Sequence, residues 1–157
     1  MRIDDIMSRR VATCAPHHSL AHAASLMWNS DCGCLPVLEP GLQAVLGIVT
    51  DRDVCMAALF QGKPLHDIPV EAAMTRKVWT CRSGDDVEQV QRQMRNAQVR
   101  RLPVLDDGGA LVGLVSLADI ATAALQARAH RDANGADREV TTTLARISAP
   151  PATRGAA

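Results

Sequence analysis

An internal repeat constrains this chain more than any other feature. The stretch GIVTDRDV at residues 47–54 returns as GLVSLADI at residues 113–120: glycine, two apolar residues, a hydroxyl, two variable residues, an aspartate and an aliphatic. The match extends well beyond those octets. Met7 falls on Met74, Thr13 on Thr80, Cys14 on Cys81, Met27 on Met94 and LPVL at 35–38 on LPVL at 102–105, all at an offset of 67. Past LPVL the offset is 66, since Gly47 pairs with Gly113, Thr50 with Ser116 and Asp53 with Asp119. A period of this length means that one supersecondary unit occurs twice, with one residue gained or lost in a turn.

Each half reads in the same order. A short extended segment (VATC, VWTC) leads to a helix whose apolar positions, Leu20, Ala23, Ala24 and Met27 or Val87, Val90, Met94 and Ala97, recur at helical spacing and bury one stripe. LPVL, a turn (EPGLQ, DDGGA) and a β-rich run (AVLGIVT, LVGLVS) then read as an antiparallel hairpin, the proline standing at the start of its strand. DRDVCMAALFQ and LADIATAALQA close the units as helices, the first stopped by Gly62 and Pro64. One β-α-β-β-α unit of about sixty residues leaves a sheet face and two helix stripes bare, so the two copies are expected to pack about a pseudo-two-fold axis.

The expected fold class is therefore α+β, with a first repeat at 1–62, a linker at 63–72, a second repeat at 73–130 and a C-terminal extension at 131–157. In that extension Asp137 can cap a short helix through Ile147 that docks Val140, Leu144 and Ile147, followed by a small, polar tail expected to be disordered. The same apolar count leaves the helices at 51–60 and 117–127 with too few partners in one copy, which predicts a homodimer built on them.

Composition removes several function classes. Seventeen basic and seventeen acidic side chains give no net field to attract nucleic acid or membrane, and only three aromatic residues, Trp28, Phe60 and Trp79, are available for base stacking. No apolar run is long enough to span a bilayer, and MRIDDIMSRR lacks the apolar core of a signal peptide, so a cytoplasmic location is expected. There is no nucleophile elbow, no P-loop and no glycine-rich dinucleotide fingerprint, so an enzyme is not expected.

The tandem unit, with LPV before a hairpin and the glycine-hydroxyl-aspartate motif after it, resembles a pair of CBS domains, the regulatory module named after cystathionine β-synthase, in the small stand-alone form found in bacteria. The likeness covers roughly residues 3 to 125 and rests on two ordered motifs recurring at one period. It implies an energy-sensing module that binds an adenosine-containing ligand (AMP, ADP, ATP or S-adenosylmethionine) between the repeats and acts through its dimer geometry or an effector protein. By motif position, Asp53 and Asp119 would hold ribose hydroxyls, and Thr50 and Ser116 would meet phosphate or ribose. The segment before LPV in one repeat would reach the other's motif, bringing Arg100 and Arg101 to Thr50 and Asp53, and Gly33 and Cys34 to Ser116 and Asp119.

The residues themselves permit that role. A hydroxyl at a strand's end opens a helix whose unpaired N–H groups favour an anion, and Arg52, Arg100 and Arg101 could grip phosphate bidentately. Thr50 and Ser116 could equally be plain N-caps, and Arg100 and Arg101 a solvated strand edge paired with Asp106 or Asp107. If so, the module is a ligand-free dimeric scaffold. A third reading draws on Cys14, His17, His18, His22, Cys32 and Cys34, concentrated in the first repeat, as a thiol or metal sensor. Cys-Gly-Cys lacks the usual metal spacing, so no metal is assigned.

Overall fold

The computed structural model describes residues 1–128 and 142–144. Of the expected Val140, Leu144 and Ile147 stripe only Leu144 falls among them, and it is exposed rather than docked; the Asp137 cap and the C-terminal tail lie outside the described residues.

Both halves build one hairpin in one register. In the first, β1 (Cys34–Leu38) pairs antiparallel with β2 (Val45–Thr50), Cys34 opposite Thr50; in the second, β4 (Arg101–Leu105) pairs with β5 (Leu111–Ser116), Arg101 opposite Ser116. Each hairpin has its irregularity at the same step, Val37/Leu38 and Val104/Leu105. The strands start at offsets of 67 (101 − 34) and 66 (111 − 45), so the missing residue lies in the hairpin turn.

Helices α1 (Leu20–Asn29) and α3 (Val87–Ala97) precede the hairpins, and α2 (Asp51–Gln61) and α4 (Leu117–Arg128) follow them. Ser19 starts α1 by accepting the His22 N–H at 3.2 Å, and the helix then buries Leu20, Ala23 and Met27. Val90 and Met94 are the matching stripe of α3. Gly62, in the left-handed region that a glycine enters without steric cost, ends α2.

Two expectations need correction. VATC forms no strand: Cys14 makes a single parallel bridge to Val37, whereas in the second half β3 (Cys81–Arg82) is a true if short strand beside β4. Pro36 and Pro103 stand third in their five-residue strands, not first. The first strand tolerates this because Pro36 C=O and Leu38 N–H both face Cys14, so the nitrogen of residue 36 points past a lone bridge to an edge that requires no donor.

The two cores trade their entering segments. Ile3 and Met7, from the start of the chain, are buried with Cys81, Val90, Leu102 and Val115 of the second half. Ile68, Val70 and Met74, which begin the second half, are buried with Leu20, Leu35 and Val49 of the first. Short bridges mark both crossings, Ser8 to Leu114 and Thr75 to Ile48. The motif glycine follows from this path, since a Cβ on Gly47 would stand 2.8 Å from Met74 Sδ, and one on Gly113 would stand 2.6 Å from Met7 Sδ. The repeated methionine and the repeated glycine are thus two sides of one contact, each made across the halves.

Candidate ligand site

The end of β2 and the start of α2 form a reciprocal cap. Thr50 Oγ1 accepts the Asp53 N–H at 3.2 Å, while Asp53 Oδ2 accepts the Thr50 N–H at 2.8 Å and its hydroxyl at 2.7 Å. Ser116 and Asp119 repeat the arrangement at 3.2, 2.7 and 2.6 Å. Each aspartate therefore does structural duty through one carboxylate oxygen, satisfying donors that a helix start leaves open. Among the described residues no hydrogen bond reaches the other oxygen, Oδ1, of either side chain.

A cavity of about 760 Å³ opens beside the first cap, a size ordinary for small-molecule sites. Thr50, Asp51 and Arg52 line it from the first half and Arg100 and Arg101 from the second. The structure thus brings Thr50, Arg52, Arg100 and Arg101 to one wall. Asp53 does not line the cavity itself, and neither Ser116 nor Asp119 contributes to it; Leu117 is the member of their motif that does. Cys34 lines the cavity, whereas Gly33 lies by Asp51 and Arg101 rather than by Ser116 and Asp119.

Three residues not anticipated from sequence, Lys77, Trp79 and Arg95, complete the wall. Lys77 and Trp79 sit on the segment that crosses between halves, with the Lys77 ammonium 5.6 Å from the centre of the Trp79 ring. At offset 67 the first half carries Ala12 where the second carries Trp79, so an aromatic at a position that breaks the repeat was the available signal. Ile48, Val78, Met94 and Pro103 give the cavity an apolar floor.

The charge is one-sided. Five cations, Arg52, Lys77, Arg95, Arg100 and Arg101, face a single carboxylate, Asp51, in a chain whose total charge is zero. Among the described residues none of the five has a carboxylate within 4.0 Å. The expected strand-edge partners are engaged elsewhere: Asp107 binds Arg82 at 3.1 Å and Asp106 Oδ1 accepts the Ala110 N–H at 2.8 Å.

His17, His18 and His22 pack edge to face, their ring centres 4.9 and 4.6 Å apart in turn, without forming a metal-ligating set with the cysteines. No group of three metal-ligating side chains exists among the described residues. His18 Nδ1 accepts the Ala15 N–H at 3.2 Å, and burial, then His22 and His17, hold its imidazole below the ordinary value. Burial alone pushes the Cys14 thiol up to about 11, and burial followed by Asp85 pushes Cys81 to about 12.

The profile of the CBS domain matches residues 3–59 and again residues 67–126. The chain belongs to the CBS domain family. YhcV, a CBS domain-containing protein of Bacillus subtilis, is 34% identical over 119 residues, which is 76% of this chain and 82% of that one. The CBS domain pair of protein MJ0100, solved with 5′-methylthioadenosine and S-adenosyl-L-methionine, superposes with a TM-score of 0.70 at 27% identity, covering 78% of this chain and 94% of that one. CBSX2 in complex with AMP has a TM-score of 0.70 at 25% identity, covering 81% and 98%. A CBS pair is a regulatory module, and no helix among the described residues is long and apolar enough to cross a membrane.

Proposed function

We propose that this CBS pair is a regulatory sensor of an adenine nucleotide, bound in the cavity between Thr50 and Arg101. The observation that carries the reading is the clustering of five cations, none with a carboxylate within 4.0 Å among the described residues, around an apolar floor in a chain of zero net charge. Such a concentration costs self-repulsion that an anionic ligand relieves. The nucleotide phosphate would lie at the α2 N-terminus against Arg52, Arg100 and Arg101, where N–H groups, helix dipole and guanidiniums act together. The base would take the apolar floor and the Trp79 ring. Asp53 does not line the cavity, so the ribose would be met first by the Thr50 hydroxyl, with Asp53 Oδ1 reaching its hydroxyls past Thr50 on ligand binding while Oδ2 keeps the cap. AMP in CBSX2 and the adenosine ligands in the MJ0100 pair support the class.

The wall also ranks ligands within that class. S-adenosylmethionine carries a sulfonium and an ammonium against one carboxylate and so brings net positive charge to an already positive surface. AMP and ATP bring negative charge and are favoured over it; all three are ranked against adenosine by calorimetry. AMP and ATP should bind more tightly than adenosine or S-adenosylmethionine, and their affinity should fall as salt rises. Adenosine binding as tightly as AMP would remove the phosphate from the reading. If nothing binds at millimolar concentration, the sensor reading fails.

The ligand-free scaffold is the second reading, favoured by Leu59 and Phe60 on α2, 70% and 78% exposed, and by Leu117 on α4. Under either reading these faces would meet in a homodimer through which the module signals to a partner. A monomeric mass by light scattering at micromolar concentration would rule the homodimer out.

A further inference from the structure

Five cations are more than one phosphate monoester can use. Arg52, Lys77, Arg95, Arg100 and Arg101 against Asp51 leave four positive charges on the cavity wall (5 − 1), whereas a phosphate monoester brings about −1.5 to −2 at neutral pH. Arg52, Arg100 and Arg101 suffice for one such group at the α2 N-terminus. Lys77 and Arg95 remain, one on the crossing segment and one on α3, both exposed and both lining the same cavity. The phosphate chain of a nucleoside triphosphate carries about twice the charge of the monoester and so matches the wall. The volume, about 760 Å³, lies in the upper part of the range for small-molecule sites, about 300–1,000 Å³.

The same wall has little to offer a divalent metal riding on that chain. Mg²⁺ is usually held by one or two carboxylates together with phosphate oxygens and water. Asp51 is the one carboxylate of the cavity. Its Oδ1 accepts the Arg52 N–H at 2.8 Å, and its Oδ2 is turned towards Gly33, 3.0 Å from where a Cβ would stand. No group of three His, Cys, Asp or Glu side chains able to hold a metal occurs among the described residues. Mg²⁺ and the basic side chains therefore compete for the same phosphate oxygens, and each neutralises the charge that attracts the other.

We propose, building on the nucleotide reading above, that the ligand of this cavity is a nucleoside triphosphate free of metal, and that Mg²⁺ antagonises its binding by claiming the phosphate oxygens that Lys77 and Arg95 would otherwise take. A metal-bound triphosphate would set a dication against five cations, with one carboxylate, already bonded, to receive it. AMP, whose single phosphate is met by Arg52, Arg100 and Arg101, gains little from Lys77 and Arg95 and gives Mg²⁺ little purchase. The module would thus report the share of nucleoside triphosphate that lacks Mg²⁺, a share that rises when the cation is scarce. By linkage, the bound protein lowers the affinity of the triphosphate for Mg²⁺ by the same factor.

The test is calorimetry with ATP, AMP and inorganic tripolyphosphate, each in metal-free buffer and again with Mg²⁺ in excess, ionic strength being matched with KCl so that screening is held constant. Without metal, ATP should bind about tenfold or more tighter than AMP, as expected for at least one further charge-assisted hydrogen bond. Excess Mg²⁺ should remove most of that advantage and leave AMP unchanged. Lys77→Gln and Arg95→Gln, both at exposed positions, should narrow the gap between ATP and AMP in metal-free buffer; equal losses for the two nucleotides would overturn the role given to these side chains. Tripolyphosphate has no base for the apolar floor and the Trp79 ring and should bind more weakly than ATP, and equal affinity would overturn the nucleoside. ATP no tighter than AMP without metal, or ATP unmoved by Mg²⁺, would overturn the proposal and leave the nucleotide reading in place. Heat from none of the three ligands would overturn both.

Discussion

Asp53 shows how one residue can satisfy two readings that its sequence context leaves open. The pattern hydroxyl-x-x-aspartate is a capping box, and the structure forms it, yet the cap uses one carboxylate oxygen and leaves the other without a protein partner. Asp53→Ala should therefore cost about 1 kcal/mol in urea denaturation, as a lost cap does, and in calorimetry should weaken AMP by about tenfold or more, the loss of charge-assisted hydrogen bonds to ribose. Asp119→Ala should show the stability loss alone, because its cap partner Ser116 does not line the cavity whereas Thr50, the partner of Asp53, does. Of the residues that line the cavity, Thr50 and Arg52 were named by the motif itself, and Arg100 and Arg101 by the resemblance to a CBS pair, which implies that the segment before LPV reaches the other repeat. Lys77, Trp79 and Arg95 were not, because periodicity reports which face of an element is buried and not which half a connecting segment visits. Trp79→Ala should lower AMP and adenosine affinity by equal factors, unlike Arg101→Ala, which should spare adenosine.

At the scale of the element, helices and hairpins were readable almost to the residue, since period, turn chemistry and caps agree in both copies. The first extended segment was not: VATC and VWTC look alike, but VATC makes one bridge at Cys14 whereas only the last residue of VWTC, Cys81, enters a two-residue strand, a difference set by what lies alongside rather than by propensity. The approach to α1 carries its own pH response. The ordinary His value is 6.5, and burial, His22 and His17 hold His18 below it in the folded state. The unfolded chain thus takes up this proton before the folded one. The contribution of neutral His18, with its Ala15 N–H bond, is complete above about 6.5 and is lost as pH falls through the lowered folded value. Denaturant midpoints measured on both sides of that value should fall on acidification, and His18→Gln should flatten the fall.

For the whole molecule the decisive feature is the exchange of entering segments, which the repeat did not disclose because an internal match is silent about which copy a segment packs against. Ile3 is fully buried in the second core although it lies at the other end of the sequence. Ile3→Ala should cost about 2–5 kcal/mol, as removal of a buried aliphatic does, and calorimetry should show one unfolding transition rather than two, because neither core is complete without residues from the other half. The same crossing orders the protein's birth. As the chain leaves the ribosome, the first core cannot close when its own strands and helices have emerged; it waits for Ile68, Val70 and Met74. The second waits for Ile120 while holding Ile3, made more than a hundred residues earlier, in reserve. Synthesis is vectorial and domains normally fold as they appear, but here Ile3 and Met7 stay unsheltered until the start of α4 has been made.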